Sequence, residues 1–143
     1  MKLKDVMSRN VEVVHPEATL AEAAGRMRAL NVGLLPVCDG DTLLGVLTDR
    51  DLALRAVGAG QNPTRTTVQQ MMTQDLIYCF EDQDVRAAAR LMQDKQIRRL
   101  LVLDRDKHLV GIVSLGDLAL ETGDDRLAGE VLERISEPIH PKG

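Results

Sequence analysis

Two short segments of the chain combine a hydroxyl group with a carboxylate three residues later. The first is TDRD in GVLTDRDLAL, where Thr48 precedes Asp51, and the second is SLGD in GIVSLGDLAL, where Ser114 precedes Asp117. Each follows an apolar run, where a strand is expected to become a helix. The free N–H groups and dipole of a helix N-terminus favour phosphate, and a hydroxyl adds one donor. An Asp one turn later can accept from both hydroxyls of a ribose, so the spacing indicates a nucleotide.

The same spacing also has an explanation that needs no ligand. A Ser or Thr at the N-cap and a carboxylate three residues later satisfy unpaired N–H groups of the helix end, contributing about 1 kcal/mol per cap. The glycine that begins each segment, Gly45 or Gly111, would then merely relieve crowding in a hairpin. Spacing alone leaves the helix cap and the nucleotide site open as alternatives.

A pair of arginines could contact phosphate. Arg98 and Arg99 in KQIRRLLV come directly before a strand-like apolar run. Guanidinium groups donate in a fork that matches phosphate oxygens. The alternative is an exposed arginine pair without a ligand, for which Asp94 and Asp104 are candidate partners. Both explanations remain open from the sequence.

The two segments belong to an internal repeat that covers most of the chain. Residues 3–57 correspond to residues 68–122, with a single extra residue in one turn. Each copy has a lead-in that carries a methionine, Met7 or Met72, and then a β-branched or aromatic run, VEVV or LIYCF. A helix, a strand, an Asp- and Gly-rich turn, a second strand and a final helix follow. The repeat unit is therefore predicted to be β-α-β-β-α.

The first helix of each copy has a defined start and an apolar face. Thr19 and Glu22 form a T-x-x-E capping box, and Asp84 caps the helix of the second copy. The residues expected to face the core are Leu20, Ala23, Ala24, Met27 and Leu30 in the first copy, and Val85, Ala88, Ala89, Leu91 and Met92 in the second.

The repeat predicts the domain organisation. We expect two pseudo-symmetric repeats of mixed α/β (α+β) class that pack sheet to sheet, because neither copy alone buries enough apolar surface. The first repeat spans residues 1–60 and the second residues 61–124, connected by the Gly/Pro/Thr-rich segment GAGQNPTRTT. Residues 125–143 are predicted to form a short helix and a loose tail.

The composition excludes several classes of function. Aromatic residues make up 1% of the chain and its net charge is −4, so neither stacking platforms nor a basic field is available for nucleic acid. No apolar run is long enough for a signal peptide or a membrane span. We therefore expect a soluble cytoplasmic protein that binds neither nucleic acid nor membrane.

The residues that could support metal, redox or enzyme chemistry are dispersed. Cys38 and Cys79 lie in apolar runs without CxxC spacing, which favours buried reduced thiols, with a disulfide or redox switch as the alternative. His15, His108 and His140 share no metal-ligand spacing, so no metal site is predicted. Because the sequence has no P-loop or recognisable catalytic constellation, an enzyme is not expected.

The layout resembles the CBS domain, in the tandem arrangement known as a Bateman module. The resemblance rests on the GLLPV strand start and on G-h-h-[ST]-x-x-D, with h apolar, at Gly45–Asp51 and Gly111–Asp117. It implies adenosine-containing ligands in clefts between the repeats, with the Asp holding the ribose and the hydroxyl near the phosphates. It also implies that a basic residue at Arg98 reaches the phosphates of a nucleotide held by the other repeat.

The two clefts are expected to be unequal. The first copy lacks the arginine pair, because Gly33 and Leu34 stand at its place. The better predicted site consists of Thr48, Asp51, Arg98 and Arg99. The site around Ser114 and Asp117 is then expected to be weak, empty or specific for an adenosine with little negative charge.

We therefore expect a regulatory sensor of AMP, ADP or ATP that needs no further cofactor and acts on an unidentified regulated protein. The chain resembles free-standing pairs that dimerise through their terminal helices, so a homodimer is expected. The apolar surface through which the two copies contact each other would come from Leu52, Leu54, Val57, Leu118 and Leu120. The alternative is a dimeric scaffold or interaction module whose nucleotide sites are vestigial.

Overall fold

A computed structural model of the protein describes residues 1–122 and Gly129. The helices are α1 (Leu20–Leu30), α2 (Val68–Met71), α3 (Val85–Lys95) and α4 (Leu115–Thr122), with a 3-10 turn at Leu3–Asp5 and a π-helix at Asp51–Val57. The strands are β1 (Leu34–Asp39), β2 (Thr42–Thr48), β3 (Tyr78–Phe80), β4 (Arg99–Leu103) and β5 (Leu109–Ser114). This mixture of helices and small sheets confirms the α/β class. The predicted C-terminal helix and tail lie outside the described residues, apart from Gly129.

The chain divides into two compact units that do not coincide with the sequence repeats. The continuous unit is Glu12–Leu76, and the split unit combines Met1–Val11 with the chain from Ile77 onward. Each unit therefore contains the body of one repeat and the lead-in of the other. The predicted boundaries, at residues 1–60 and 61–124, follow the repeat in the sequence rather than these units.

The continuous unit contains an antiparallel hairpin of β1 and β2. The strand predicted for VEVV is wrong, because only Val14 pairs with the hairpin. Its N–H donates to the Pro36 oxygen at 2.9 Å, and its oxygen accepts from the Cys38 N–H at 3.0 Å. Pro16 follows two residues later and has no N–H to extend the ladder.

The split unit contains a three-stranded sheet in the order β3-β4-β5. Strand β3 is parallel to β4, and β4 is antiparallel to β5. The strand predicted for LIYCF is confirmed over Tyr78–Phe80. No helix among the described residues is long and apolar enough to cross a bilayer.

The predicted helix starts are confirmed in both units. The Glu22 N–H donates to Thr19 Oγ1 at 3.2 Å, and the Thr19 N–H donates back to the Glu22 carboxylate at 3.3 Å. At α3, the Arg86 N–H donates to Asp84 Oδ1 at 2.9 Å. These bonds satisfy backbone donors that a helix end would otherwise leave unpaired.

The predicted apolar face of α1 is narrower than expected. Leu20, Ala23 and Met27 are buried, but Ala24 is exposed and Leu30 is 41% exposed. Ala24 lies one residue, or about 100° of helix rotation, away from Ala23. Leu30 is the last helical residue, and the chain then turns away through a left-handed Asn31. The face of α3 agrees better, because only Leu91 of its five residues is partly rather than fully buried.

The lead-in at the end of the continuous unit packs against β2. Thr73 and Val46 exchange two backbone hydrogen bonds of 2.8 and 2.9 Å. A Cβ added at Gly45 would lie 2.6 Å from the Thr73 carbonyl oxygen. The first repeated glycine is therefore required by the close approach of the lead-in backbone.

The split unit repeats this arrangement with the other lead-in. Ser8 and Ile112 exchange backbone bonds of 2.8 and 3.0 Å. A Cβ at Gly111 would lie 2.5 Å from Met7 Sδ and 3.0 Å from the Ser8 oxygen. The methionine and the glycine that recur in each copy thus form one contact in each unit.

Candidate functional site

The first hydroxyl–carboxylate pair lies where β2 ends and the π-helix begins. The Thr48 N–H donates to Asp51 Oδ2 at 3.0 Å, and the Asp51 N–H donates to Thr48 Oγ1 at 3.1 Å. This reciprocal pair is a capping box. We call Thr48 and Asp51 together the first grip. The helix-cap explanation of the T-x-x-D spacing is therefore correct as far as the local structure is concerned.

The second pair lies at the corresponding junction of β5 and α4. The Ser114 N–H donates to Asp117 Oδ2 at 2.9 Å, and the Asp117 N–H donates to Ser114 Oγ at 3.1 Å. We call this pair the second grip. The repeated sequence therefore produces the same backbone-to-side-chain geometry in both units.

The carboxylate of the first grip has further partners that the sequence analysis did not anticipate. Thr73 Oγ1 lies 3.0 and 3.2 Å from the two Asp51 oxygens, which share its one hydroxyl hydrogen in a three-centre hydrogen bond. Arg55 Nη1 lies 4.0 Å from Asp51 Oδ1 and donates to the carbonyl oxygens of Met71 and Met72 at 3.0 and 3.1 Å. Asp51 is consequently buried, with 7% of its surface exposed.

The carboxylate of the second grip has fewer partners. Asp117 is half-buried, and its Oδ1 accepts no hydrogen bond from the described residues. The counterpart of Thr73 is Ser8, which is exposed and whose hydroxyl bonds to no described residue. The counterpart of Arg55 in the repeat is Glu121, an acidic residue in place of a basic one.

The strand residue that faces each hydroxyl also differs. Leu34 lies directly opposite Thr48 in the β1–β2 ladder, whereas Arg99 lies opposite Ser114 in the β4–β5 ladder. Side chains of directly opposed residues leave the same face of a sheet, with Cβ atoms about 5 Å apart. The register therefore places an arginine directly opposite the hydroxyl residue of the second grip and an apolar residue opposite that of the first.

Arg98 and Arg99 are available for an external anion. Both are exposed, and neither side chain bonds to any described residue, including Asp94 and Asp104. The main-chain oxygen of Arg98 accepts from the Leu115 N–H at 3.0 Å, which fixes Arg98 at the beginning of α4. Neither arginine therefore bonds to those two aspartates, and an exposed arginine pair agrees with both explanations that the sequence left open.

A shallow pocket of about 440 Å³ opens between the end of α1 and the start of the π-helix. Its polar lining includes Arg28, Asn31 and Asp49, above apolar side chains of α1 and Leu52. A Cβ at Gly33 would lie 2.8 Å from Asp49 Oδ2, so the glycine makes room for this carboxylate. Asp49 is itself exposed.

The two cysteines are buried free thiols, as predicted. Burial raises the pKa of Cys38 and of Cys79, which disfavours the reactive thiolate. Cys38 belongs to the continuous unit and Cys79 to the split unit. This environment is typical of structural rather than redox-active cysteines.

Potential metal-ligating side chains meet within the turn between β4 and β5. Ligand atoms of Asp104, Asp106 and His108 all lie within 4.8 Å of one another. Asp104 Oδ1 accepts from the Asp106 and His108 N–H groups at 3.0 and 2.8 Å, and these backbone hydrogen bonds hold the pKa of Asp104 below its usual value. The contacts are those of a side-chain-stabilised turn.

Comparison with known proteins places both grips within a recognised family. The model of the CBS domain matches residues 3–58 and 68–122. The chain is 41% identical over 134 residues to the CBS domain-containing protein YhcV of Bacillus subtilis (strain 168), and the aligned region covers 94% of each chain.

Two solved structures of similar fold contain bound ligands. Hypoxic Response Protein I, with two coordinated zinc ions, has a TM-score of 0.77 and 33% identity, over 85% of this chain and 98% of that chain. The CBS domain pair of protein MJ0100, in complex with 5-methylthioadenosine and S-adenosyl-L-methionine, has a TM-score of 0.73 and 28% identity, over 87% of this chain and 98% of that chain.

Proposed function

The chain belongs to the CBS domain family as a tandem pair, and from this premise we propose that it is a regulatory protein that binds an adenosine-containing nucleotide. The observation that carries the proposal is the pair of grips, each of which places a hydroxyl and a carboxylate at a strand-to-helix junction. The complex of the MJ0100 pair with two adenosine derivatives supports the ligand class. The candidate contacts are Thr48, Asp51, Arg98, Arg99, Ser114 and Asp117.

The chemistry of these contacts matches the two ends of a nucleotide. A carboxylate oxygen accepts from ribose hydroxyls, and the helix N-terminus with its hydroxyl donates to phosphate. Exposed guanidinium groups provide the countercharge for a phosphate. These groups bind and orient a ligand, and we propose no reaction for them. AMP, ADP and ATP are the proposed ligands.

Regulation follows from linkage between binding and conformation. A nucleotide shifts the equilibrium between two arrangements of the protein only by its difference in affinity for them. We propose that the protein is a homodimer in the cytoplasm, and that a partner protein responds to the arrangement that the nucleotide favours.

The experiment that tests this function is a thermal-shift assay of the full chain with adenosine, AMP, ADP, ATP and S-adenosylmethionine. A ligand at 100 times its Kd stabilises the native state by about 2.7 kcal/mol, which raises Tm by several degrees. GTP at the same concentrations is the control for unspecific polyanion binding. A protein that is stabilised by no member of the panel does not have the proposed function.

A scaffold is the second candidate, because one apolar surface in the continuous unit is uncovered. Leu54 and Val57 of the π-helix are 59% and 76% exposed. Leu118, which was expected to contribute to the same surface, is instead buried within the split unit at 1% exposure. Sedimentation analysis separates the candidates: a scaffold dimerises with the same affinity in the presence and absence of the nucleotide panel.

A further inference from the structure

We propose that Thr73 closes the first grip to ribose, so that the second grip alone takes the nucleotide. The inference rests on the proposed function and goes beyond it by assigning the ligand to one of two repeated motifs. Thr73 is a specificity-determining residue in this proposal, and it acts through Asp51 rather than by touching the ligand.

The Asp51 carboxylate is already occupied by donors from its own unit. Oδ2 accepts from the Thr48 N–H, and both oxygens accept from the Thr73 hydroxyl. Arg55 Nη1 lies 4.0 Å from Oδ1. A ribose hydroxyl would have to replace the Thr73 donor at a side chain that is 9% exposed. Such an exchange gains no hydrogen bond and leaves the half-buried Thr73 hydroxyl without its acceptor.

The Asp117 carboxylate is more available to a ligand than that of Asp51. Its Oδ2 accepts from the Ser114 N–H, whereas its Oδ1 accepts nothing from the described residues. Ser8 replaces Thr73 in this unit, and its exposed hydroxyl does not bond to Asp117. A ribose hydroxyl can therefore donate to Oδ1 without breaking an existing bond.

The two grips also differ in the positive charge that is available for a phosphate. Arg99 faces Ser114 across the β4–β5 ladder and has no ion-pair partner among the described residues, whereas Leu34 faces Thr48. An exposed arginine opposite Ser114, the residue before α4, can supply the positive charge that a phosphate at the second grip requires. Leu34 offers no such charge. Ribose and phosphate preferences thus favour the same grip.

This inference reverses the preference that the sequence suggested. The resemblance to related pairs placed Arg98 and Arg99 in a predicted site with Thr48 and Asp51. Within the split unit, the strand register instead places Arg99 beside the hydroxyl of its own repeat.

The deciding experiment is equilibrium dialysis of the full-length chain against each of adenosine, AMP, ADP, ATP and S-adenosylmethionine. The variants are Asp117→Asn and Asp51→Asn, which preserve the size of the capping side chain and remove its charge. We expect one equivalent of ligand per chain, binding about tenfold or more weaker in Asp117→Asn, and less than about twofold weaker in Asp51→Asn.

The outcomes separate the inference from the function on which it rests. Binding of two equivalents by the wild-type chain, or one equivalent that is lost only in Asp51→Asn, overturns the inference and leaves the proposed function intact. Absence of binding for every member of the panel overturns the proposed function. Circular dichroism of each variant excludes unfolding as the reason for a loss.

A pair of further variants tests Thr73 itself. Thr73→Val removes the donor to Asp51, and we expect a second, weaker equivalent of AMP to appear. Ser8→Ala is the matched control at the corresponding position, and it should leave the stoichiometry at one. An unchanged stoichiometry in Thr73→Val, in a variant that still binds its first equivalent, shows that Thr73 does not close the first grip.

Arg99→Leu, which copies Leu34, tests the phosphate contact. We expect the Kd for AMP to rise about tenfold and the Kd for adenosine to change less than about twofold. Equal weakening of both ligands, or of neither, contradicts the role given to Arg99.

Discussion

The two strand-to-helix junctions have nearly the same sequence and the same capping bonds, but they differ in what surrounds the carboxylate. Asp51 is buried and bonded to Thr73, whereas Asp117 is half-buried and keeps one oxygen without a described partner. The difference comes from the lead-ins, which contribute Thr73 to one unit and Ser8 to the other. A repeated motif thus specifies its local geometry, while a non-repeated neighbour determines what that geometry can bind.

The helices that follow the two grips also differ. The segment Asp51–Val57 is a π-helix, whereas α4 is an α-helix. The Gly58 N–H donates to the Ala53 oxygen five residues earlier, at 3.0 Å, and a Cβ at Gly58 would lie 2.5 Å from the Leu54 oxygen. Arg55, within this π-helix, donates to the Met71 carbonyl oxygen. The first grip is therefore more tightly joined to its lead-in than the second.

The largest expected difference in stability between the two junctions comes from substituting the two repeated glycines. Gly45→Ala would place its Cβ 2.6 Å from a backbone oxygen of Thr73, which cannot move without breaking the lead-in ladder. Gly111→Ala would meet mainly the Met7 side chain, which can adjust. We expect the free energy of unfolding to fall by about 3 kcal/mol and about 1 kcal/mol respectively, as measured by urea denaturation.

A second substitution sharpens this result. In a double-mutant cycle, Gly111→Ala should cost less free energy of unfolding in a Met7→Ala background than in the wild type, because the thioether that the new Cβ meets is gone. Gly45→Ala should cost nearly as much in a Met72→Ala background as in the wild type, because the closest atom there belongs to the backbone. Equal coupling energies in the two cycles contradict the distinction between the two contacts.

A smaller difference is expected from the carboxylates. Asp51→Ala removes a helix cap and leaves the half-buried Thr73 hydroxyl without its acceptor, so it should cost about 2 kcal/mol of unfolding free energy. Asp117→Ala removes only a cap, with an expected loss of about 1 kcal/mol. Both values come from urea denaturation without ligand, and equal losses indicate that Thr73 contributes nothing.

The sequence predicted the parts of this arrangement that are local or repeated. The capping boxes, at Thr19 and at both grips, depend on residues three apart, and the repeat itself was evident. The bond between Thr73 and Asp51 spans 22 residues and joins a lead-in to the body of the other repeat, so no local pattern encodes it. Its signal was the hydroxyl residue that follows the methionine in each lead-in, at Ser8 and Thr73.

Two wrong predictions, a strand at VEVV and a surface position for Leu118, have equally specific causes. VEVV has the β-branched composition of a strand, but only Val14 pairs, because Pro16 prevents further pairing. Leu118 is an apolar residue of a terminal helix and was therefore predicted to contribute to a dimer surface. It packs instead into the core of the split unit. Apolar composition alone does not distinguish a dimer surface from a core position.

Removing the hydroxyl of Thr73 should cost more free energy of unfolding than removing that of Ser8, just as removing Asp51 should cost more than removing Asp117. Thr73→Val removes a hydrogen bond to a charged, buried acceptor and should lower the free energy of unfolding by about 1 kcal/mol. Ser8→Ala removes an exposed hydroxyl without a described side-chain partner, so we expect no measurable change. Thermal denaturation of both variants beside Thr73→Ser, which keeps the donor, measures the difference.

The smallest expected effect concerns an ion pair that only one repeat has. Arg105 donates to both Asp82 oxygens, at 2.8 and 2.9 Å, and its guanidinium lies 4.2 Å above the Phe80 ring. The continuous unit has Glu17 at the place of Asp82 but no arginine in its hairpin turn. The hydrogen bond from Arg105 lowers the pKa of Asp82, so Arg105→Gln should raise that pKa in a carbon-13 NMR titration of the carboxyl groups.

The sign of the accompanying change in stability follows from the lowered pKa. A carboxyl group whose pKa is lower in the folded state stabilises the protein above its unfolded pKa of about 4, and this contribution is lost as pH falls through the folded pKa. The difference in unfolding free energy between wild type and Arg105→Gln should therefore be present at neutral pH and disappear in acid. A difference that persists in acid indicates that Arg105 acts through its contact with Phe80 instead. Lys107→Gln, in the same turn but without a bond to Asp82, is the control for the general loss of a positive charge.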